Sequence, residues 1–134
     1  MKEKFDEESK KALVSYRLER AYGTLKEADV MRREGFYNAA INRLYYACYY
    51  AAVALLLEYD IQTQTHNGVK TMLGLYFVST GKLSVRMGKT FGTLFEKRHS
   101  GDYDDFVYCD KEMVDALYPQ AEAFIEAVCA LISK

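Results

Sequence analysis

The least polar stretch of the chain runs from Leu44 to Leu57, where fourteen consecutive residues carry no charge and no amide. A membrane-spanning helix needs about 18 to 20 apolar residues, so no membrane span is predicted. The stretch is rich in alanine and leucine and lacks glycine and proline, which favours a helix over a strand. Because it is apolar nearly all round, we expect this helix to be central in the fold or shared with a second subunit.

Apolar positions recur at helical spacing on both sides of this stretch, and no strand pattern is present. We predict helices over residues 6–34, 36–59, 65–80, 84–100 and 111–132. The fold class is therefore all-α: an antiparallel up-and-down bundle of four long helices plus a shorter one, in a single domain spanning residues 1–134.

Individual residues mark where the predicted helices begin and end. Gly35 is expected to end the first helix, which makes the first two helices an antiparallel hairpin, and Gly101 to end the fourth. Pro119 is expected to kink the fifth helix or to break it near Tyr118. The expected N-terminal caps of the last three helices are Thr63 or Thr65, Ser84 and Asp110.

Composition is that of an ordinary globular domain, with a formal net charge of −1. The chain therefore has no overall field that would attract nucleic acid. Cys48 and Cys129 lie in apolar helical patterns and are interpreted as buried hydrophobes rather than disulfide or zinc ligands. The charged N-terminus has no apolar core typical of a signal peptide, so a cytoplasmic protein is expected.

The charges are unevenly distributed along the chain. Residues 65–100 carry six lysines and arginines against Glu96, whereas residues 101–134 carry eight acids against Lys111 and Lys134. The two segments can lie side by side and neutralise each other. Alternatively, the first can form a basic patch for a partner that bears phosphate groups.

Arg43 stands at the start of the apolar helix, with Tyr46 and Tyr50 one and two turns further on the same face. A charge in such surroundings needs a partner, because an unpaired buried charge costs several kcal/mol. One interpretation is a salt bridge to an acid such as Asp102 or Asp104. The other is an anion site, since the guanidinium fork fits phosphate or carboxylate.

Two further segments carry candidate site residues. Arg98 is in phase with the apolar stripe of the fourth helix and is followed closely by Asp102 and Tyr103, which can form a structural network with it or help to bind a ligand. His66 lies at the start of the third helix, where free backbone N–H groups can meet an anion, although a histidine there is more often a cap or surface residue. No residue spacing indicates a metal site or a cofactor.

Taken together, these features resemble the HEPN domain, in particular its small stand-alone prokaryotic branch, over about residues 7–132. The resemblance depends on Asn42-Arg43-Leu44-Tyr45-Tyr46-Ala47 in the second helix, Thr65-His66-Asn67-Gly68 opening the third, and Arg98 followed by Gly101-Asp102-Tyr103. It implies a homodimer that binds a nucleotide or RNA, often encoded beside a minimal nucleotidyltransferase as a toxin–antitoxin pair. Many HEPN proteins are metal-independent ribonucleases with an Arg-x4–6-His motif.

This chain departs from that motif, because the positions five to seven residues beyond Arg98 are Tyr103, Asp104 and Asp105. We therefore favour a non-catalytic module with Arg43, Tyr46, His66, Arg98, Asp102 and Tyr103 at its ligand site. One alternative is a ribonuclease toxin in which His66 and Arg98 are the catalytic residues. Another is a structural domain whose arginines are salt-bridged and whose second helix binds a partner protein.

Overall fold

A computed structural model describes residues 6–103 and 109–133, except for the side chains of residues 99–103. The helices are α1 (Glu7–Arg33), α2 (Tyr37–Glu58), α3 (His66–Leu73), α4 (Val85–Tyr103) and α5 (Lys111–Ile132), and a π-helical turn, Gly74–Val78, extends α3. No strand occurs among these described residues. The predicted all-α bundle of four long helices and one shorter helix is confirmed.

α2 is the central helix, as predicted from its apolar pattern, and it packs against each of the other four helices. It is long and apolar enough to cross a membrane, but 61% of its most apolar window is buried inside the bundle. Half of its residues are buried, and many of these are alanines, which allow neighbouring helices to approach closely. They are Ala40, Ile41, Leu44, Tyr45, Ala47, Cys48, Ala51, Ala52, Ala54, Leu55 and Leu56.

α1 packs along α2 over much of its length and forms the predicted hairpin with it. Gly35 makes the sharp connection, since its φ of +83° lies in the left-handed region that glycine adopts without strain. At the last turn of α1, Arg32 pairs with Asp29 at 2.6 Å and with Asp115 of α5 at 3.1 Å. Lys111 and Arg32 both lower the pKa of the Asp115 carboxyl through hydrogen bonds.

The predicted N-terminal caps are present. Thr65 Oγ1 accepts a hydrogen bond from the Gly68 N–H at 2.8 Å, Ser84 Oγ accepts from the Met87 N–H at 3.1 Å, and Asp110 accepts from Met113 at 2.9 Å. Each cap satisfies one of the backbone donors left unpaired at a helix start. These side chains therefore fix where α3, α4 and α5 begin.

The predicted end of α4 and the predicted burial of Cys129 were wrong. α4 does not end at Gly101 but continues to Tyr103. α5 is not broken near Tyr118, since Pro119 lies on the exposed side of a helix that continues on both sides of it, and the kink expected as the alternative stays a prediction. There the ring removes one hydrogen bond, and the carbonyl left without a partner can be solvated. Cys129 is only half-buried and lies 3.4 Å from the Tyr22 hydroxyl, whereas Cys48 is buried as expected.

Gly68 is required by a close approach between the α2–α3 connection and the first turn of α3. A Cβ atom at this position would collide with Thr63 Oγ1 and would lie 2.9 Å from Thr65 Oγ1, the capping atom of α3. Only a residue without a side chain allows the connection to cross the helix at this distance.

We predict that Gly68→Ala lowers the free energy of unfolding by about 1–3 kcal/mol, because Thr63 must move and the Thr65 cap is disturbed. Gly23→Ala is the matched control: Gly23 lies inside α1 with open space around it, so alanine is expected to stabilise the protein by about 0.5–1 kcal/mol. Urea unfolding of both variants measures the difference. Equal effects of the two substitutions would contradict the close approach.

Candidate functional site

Both arginines that were predicted to bind a ligand, Arg43 and Arg98, contact the ring of Tyr46. Arg98 Nη2 donates a hydrogen bond to the Tyr46 hydroxyl at 2.8 Å. The guanidinium carbon of Arg98 lies 5.3 Å from the centre of the Tyr46 ring, and that of Arg43 lies 5.4 Å from the same centre. A half-buried aromatic ring therefore holds two positive charges, one from its own helix and one from α4.

His66 lies beside this ring and is held by two other tyrosines of α2. Its Nδ1 shares a hydrogen bond of 2.7 Å with the Tyr45 hydroxyl. Its ring stacks on Tyr49 at 4.3 Å with an interplanar angle of 17°, and it meets Tyr46 edge-on at 5.9 Å. The imidazole is thus fixed by contacts from three aromatic residues, although it starts a different helix.

The hydroxyl that binds His66 stays protonated. Tyr45 has no exposed surface, and burial raises the pKa of its phenol, while the nearby Tyr49 and Tyr46 raise it further. Arg98 acts in the opposite direction because its positive charge favours the phenolate. The neutral phenol links the core to His66 without adding a negative charge to a site that contains two arginines.

Four of the six predicted ligand-site residues therefore come together: Arg43, Tyr46, His66 and Arg98. The backbone of Asp102 and Tyr103 continues α4, but their side chains lie outside the described part of the structure, as does all of Asp104. The roles predicted for Asp102 and Tyr103 thus stay predictions. Among the described residues, no three His, Cys, Asp or Glu side chains are arranged to hold a metal ion.

The predicted salt bridge of Arg43 is present in the described structure, but its acid is Glu27 of α1, which was not named from the sequence. The Nη1–Oε1 distance is 3.2 Å, and Asn42 Oδ1 accepts hydrogen bonds from the other guanidinium nitrogens. The Glu27 side chain is 57% exposed. Exposed ion pairs typically contribute about 0–1 kcal/mol, so Glu27 opposes the binding of an anion at Arg43 only weakly.

The basic segment before Arg98 faces solvent in part. Lys82, Arg86 and Lys89 are exposed, and no salt bridge joins the described side chains of α4 to those of α5. Asp115, the acid of α5 that does form salt bridges, pairs with Arg32 and Lys111. Neutralisation of the basic segment by direct pairing with α5 is therefore not observed among the described side chains.

A cavity of about 450 Å³, which was not predicted from the sequence, is lined in part by Tyr49. It lies between α1, α2 and the α2–α3 connection, and Arg17 and Lys10 of α1 contribute its basic groups. The helical phase of Arg17 could have indicated that it faces inward, because it stands three residues after Val14 and four before Ala21, which are both buried. The lining residues are Lys10, Arg17, Tyr49, Tyr50, Val53, Leu56, Leu57, Asp60, Ile61, Gln62, Thr63 and Gln64.

Comparisons with known proteins extend over nearly the whole chain. A model of the HEPN domain matches residues 14–131. A "UPF0332 protein" of Thermotoga maritima is 34% identical over 92% of this chain and 93% of its own length. Two proteins of Methanocaldococcus jannaschii, each named "Putative toxin", are 31% and 29% identical over 83% and 81% of this chain, which is 82% and 74% of their own lengths.

The hydrogen bond between Arg98 and Tyr46 can be measured by a double-mutant cycle. Combining Tyr46→Phe with Arg98→Ala is expected to give a coupling of about 1 kcal/mol in the free energy of unfolding, because the donor and the acceptor are both half-buried.

The control cycle pairs Arg98→Ala with Tyr50→Phe, since the Tyr50 hydroxyl accepts from Arg20 at 2.8 Å instead. Its coupling is expected to stay within about 0.3–0.5 kcal/mol. A coupling for Tyr46 no larger than that for Tyr50 would rule out the described geometry.

Proposed function

The chain belongs to the HEPN domain family. We propose that it is a dimeric module in which Arg43, Tyr46 and Arg98, together the Arg98 cluster, bind a phosphate group of RNA or of a nucleotide. The observation that carries this proposal is the convergence of two guanidinium groups from different helices on one tyrosine ring. His66 lies against the same ring and borders the proposed site.

The electrostatics of this cluster favour an anion. Two guanidinium groups lie within about 5.5 Å of the centre of one half-buried ring, and a phosphate bound beside that ring interacts favourably with both. Each guanidinium offers parallel N–H groups that match the oxygens of a phosphate. Glu27, which now pairs with Arg43, is more than half exposed and can be displaced at small cost.

The helix that carries Arg98, α4, supplies further positive charge near its start. Arg86 and Lys89 are exposed on α4, and Lys82 is exposed just before it. Such side chains attract a polyanion from solution without reading its sequence. Of the two proposed ligands, a single-stranded RNA has more phosphates than a mononucleotide, so these charges increase its affinity more.

The wider role that we propose is that of a component of a toxin–antitoxin-type pair. Two relatives in M. jannaschii carry the name "Putative toxin", and they match more than four-fifths of this chain. The resemblance described above adds a homodimer, in which two clusters come together, and a minimal nucleotidyltransferase as partner. Each of these can be tested separately from ligand binding.

The deciding experiment is a titration of the protein with a short single-stranded RNA and with ATP at two salt concentrations. Binding is expected to weaken as salt rises, because phosphate contacts release counterions. Arg98→Ala is expected to reduce the affinity at least about tenfold, corresponding to about 1.4 kcal/mol or more.

Arg86→Ala is the matched control, since it removes an exposed arginine from the same helix. We expect it to change the affinity less than about threefold, corresponding to about 0.65 kcal/mol. Light scattering establishes whether the wild-type protein is a dimer and whether Arg98→Ala preserves that state. Equal losses in both variants would show that α4 binds by general charge, and the Arg98 cluster would no longer be the site.

A second candidate function is metal-independent cleavage of RNA, and a specific observation favours it. His66 and Arg98 contact the same tyrosine, so a proton carrier and a charge stabiliser are both placed at one ring. In this reaction the 2′-hydroxyl loses its proton to histidine and its oxygen attacks phosphorus. The bond to the 5′ oxygen then breaks, and that oxygen takes up a proton.

Cleavage in the presence of EDTA is expected to leave 2′,3′-cyclic phosphate and 5′-hydroxyl ends if this candidate holds. His66→Ala is expected to reduce the rate at least about 100-fold, the lower end of what general acid–base catalysis contributes. His99→Ala, which removes the other histidine of the chain, is expected to retain activity. RNA that stays intact with the wild-type protein would eliminate the ribonuclease and leave the binding proposal standing.

A further inference from the structure

The cavity between α1, α2 and the α2–α3 connection combines features that the Arg98 cluster lacks. Its volume of about 450 Å³ is within the range of small-ligand sites, which span about 300–1,000 Å³. Val53, Leu56 and Leu57 of α2 form an apolar wall, and Gln62 and Gln64 supply amide groups from the connection. Tyr49 and Tyr50 add aromatic rings.

Arg17 supplies the positive charge at one end of this cavity. Within the part of the chain that the structure describes, no hydrogen bond or salt bridge engages its half-buried guanidinium. Its charge acts on Tyr49: burial raises the pKa of the Tyr49 phenol, and Arg17 opposes that rise. The guanidinium thus lies near a ring that lines the cavity and also stacks on His66.

The other charged groups that line the cavity are Lys10 and Asp60, and they pair with each other. Lys10 Nζ is 3.6 Å from the Asp60 carboxylate and 3.5 Å from the Glu58 carbonyl. Among the described residues, Asp60 pairs with Lys10 and no acid engages Arg17, so an anion entering the cavity can meet the Arg17 guanidinium.

The tyrosine walls are held in place from outside the cavity. Tyr49 stacks on His66 at 4.3 Å, and Arg20 covers the Tyr50 ring at 4.5 Å while donating to its hydroxyl at 2.8 Å. Gly68 fixes the connection, because its backbone is packed against Thr63. The cavity is a preformed site, which reduces the entropy lost when a ligand binds.

We infer that this cavity binds a nucleoside monophosphate unit, with the phosphate on Arg17 and the base among Tyr49, Tyr50 and Val53. A planar base stacks on tyrosine at a gain of about 1–3 kcal/mol, and the glutamine amides can pair with its polar edge. The unit is a free mononucleotide or one residue of the strand whose phosphate is held at Arg98. In the second case the inference rests on the proposed function.

The test uses calorimetric titration with AMP, with UMP and with a short single-stranded RNA. Arg17→Gln removes the charge, and Val53→Phe fills the cavity without changing charge or touching the Arg98 cluster. Arg86→Gln is the control for loss of one exposed arginine, and Arg98→Ala reports on the proposed function. Thermal unfolding confirms that each variant is folded, and Arg17→Gln keeps the test decisive if Val53→Phe unfolds.

Two outcomes support the inference. A free occupant gives mononucleotide binding that falls at least tenfold in Arg17→Gln and Val53→Phe but is retained in Arg98→Ala and Arg86→Gln. A strand occupant gives RNA binding that falls at least tenfold in Arg17→Gln, Val53→Phe and Arg98→Ala, with no comparable loss in Arg86→Gln.

Two outcomes overturn the inference. If Arg17→Gln and Val53→Phe bind every ligand as tightly as the wild-type protein does, the cavity is not a binding site. If Arg98→Ala loses RNA binding in the same experiment, the proposed function still holds. The absence of any binding by the wild-type protein, at millimolar mononucleotide and micromolar RNA, also overturns it. Mononucleotide binding that depends on Arg17 but not on Arg98, without RNA binding, would instead remove only the proposed function.

Discussion

The burial of α2 is the constraint on which the rest of this structure depends. A helix that is apolar nearly all round must be covered on most sides, and here four other helices pack against it and bury half of its residues. Its alanines allow those helices to approach closely, and its leucines fill the space between them.

The tyrosines of α2 turn this core helix into the base of the site. Tyrosine buries a large apolar ring and still presents one hydroxyl, so it can belong to the core at one end and to a polar site at the other. Tyr45 and Tyr46 bind His66 and Arg98 in this way. Tyr49 stacks on His66, which borders the Arg98 cluster, and it also lines the cavity.

The sequence predicted the helices and the caps well, because both depend on neighbours within a few residues. The phase of Arg98 in an apolar stripe also identified it correctly as inward-facing. Gly101 was misread because glycine weakens a helix without having to end it. Pro119 does not break α5, since it is exposed and water can replace the hydrogen bond that its ring removes. A single glycine or proline is thus a weaker indication of where a helix ends than the apolar periodicity around it.

The site was predictable only in part, because its contacts cross between helices. The pairs Tyr45–His66 and Arg43–Glu27 join residues 21 and 16 positions apart, and their partners depend on how α2 sits against α3 and α1. Arg17 carried the same phase signal as Arg98, but its polar neighbours on α1 concealed it. The cavity beside it is a property of three segments together, which no local pattern records.

The sharing of α2 between core and site has a consequence for how this protein can change over evolutionary time. Substitutions at Tyr45, Tyr46 or Tyr49 alter packing and chemistry at once, so a new ligand preference gained there is paid for in stability. Arg17 and the connecting residues Gln62 and Gln64 face the same space from outside the core. Substitutions on α1 and in the connection can therefore reshape the cavity while α2 stays nearly constant.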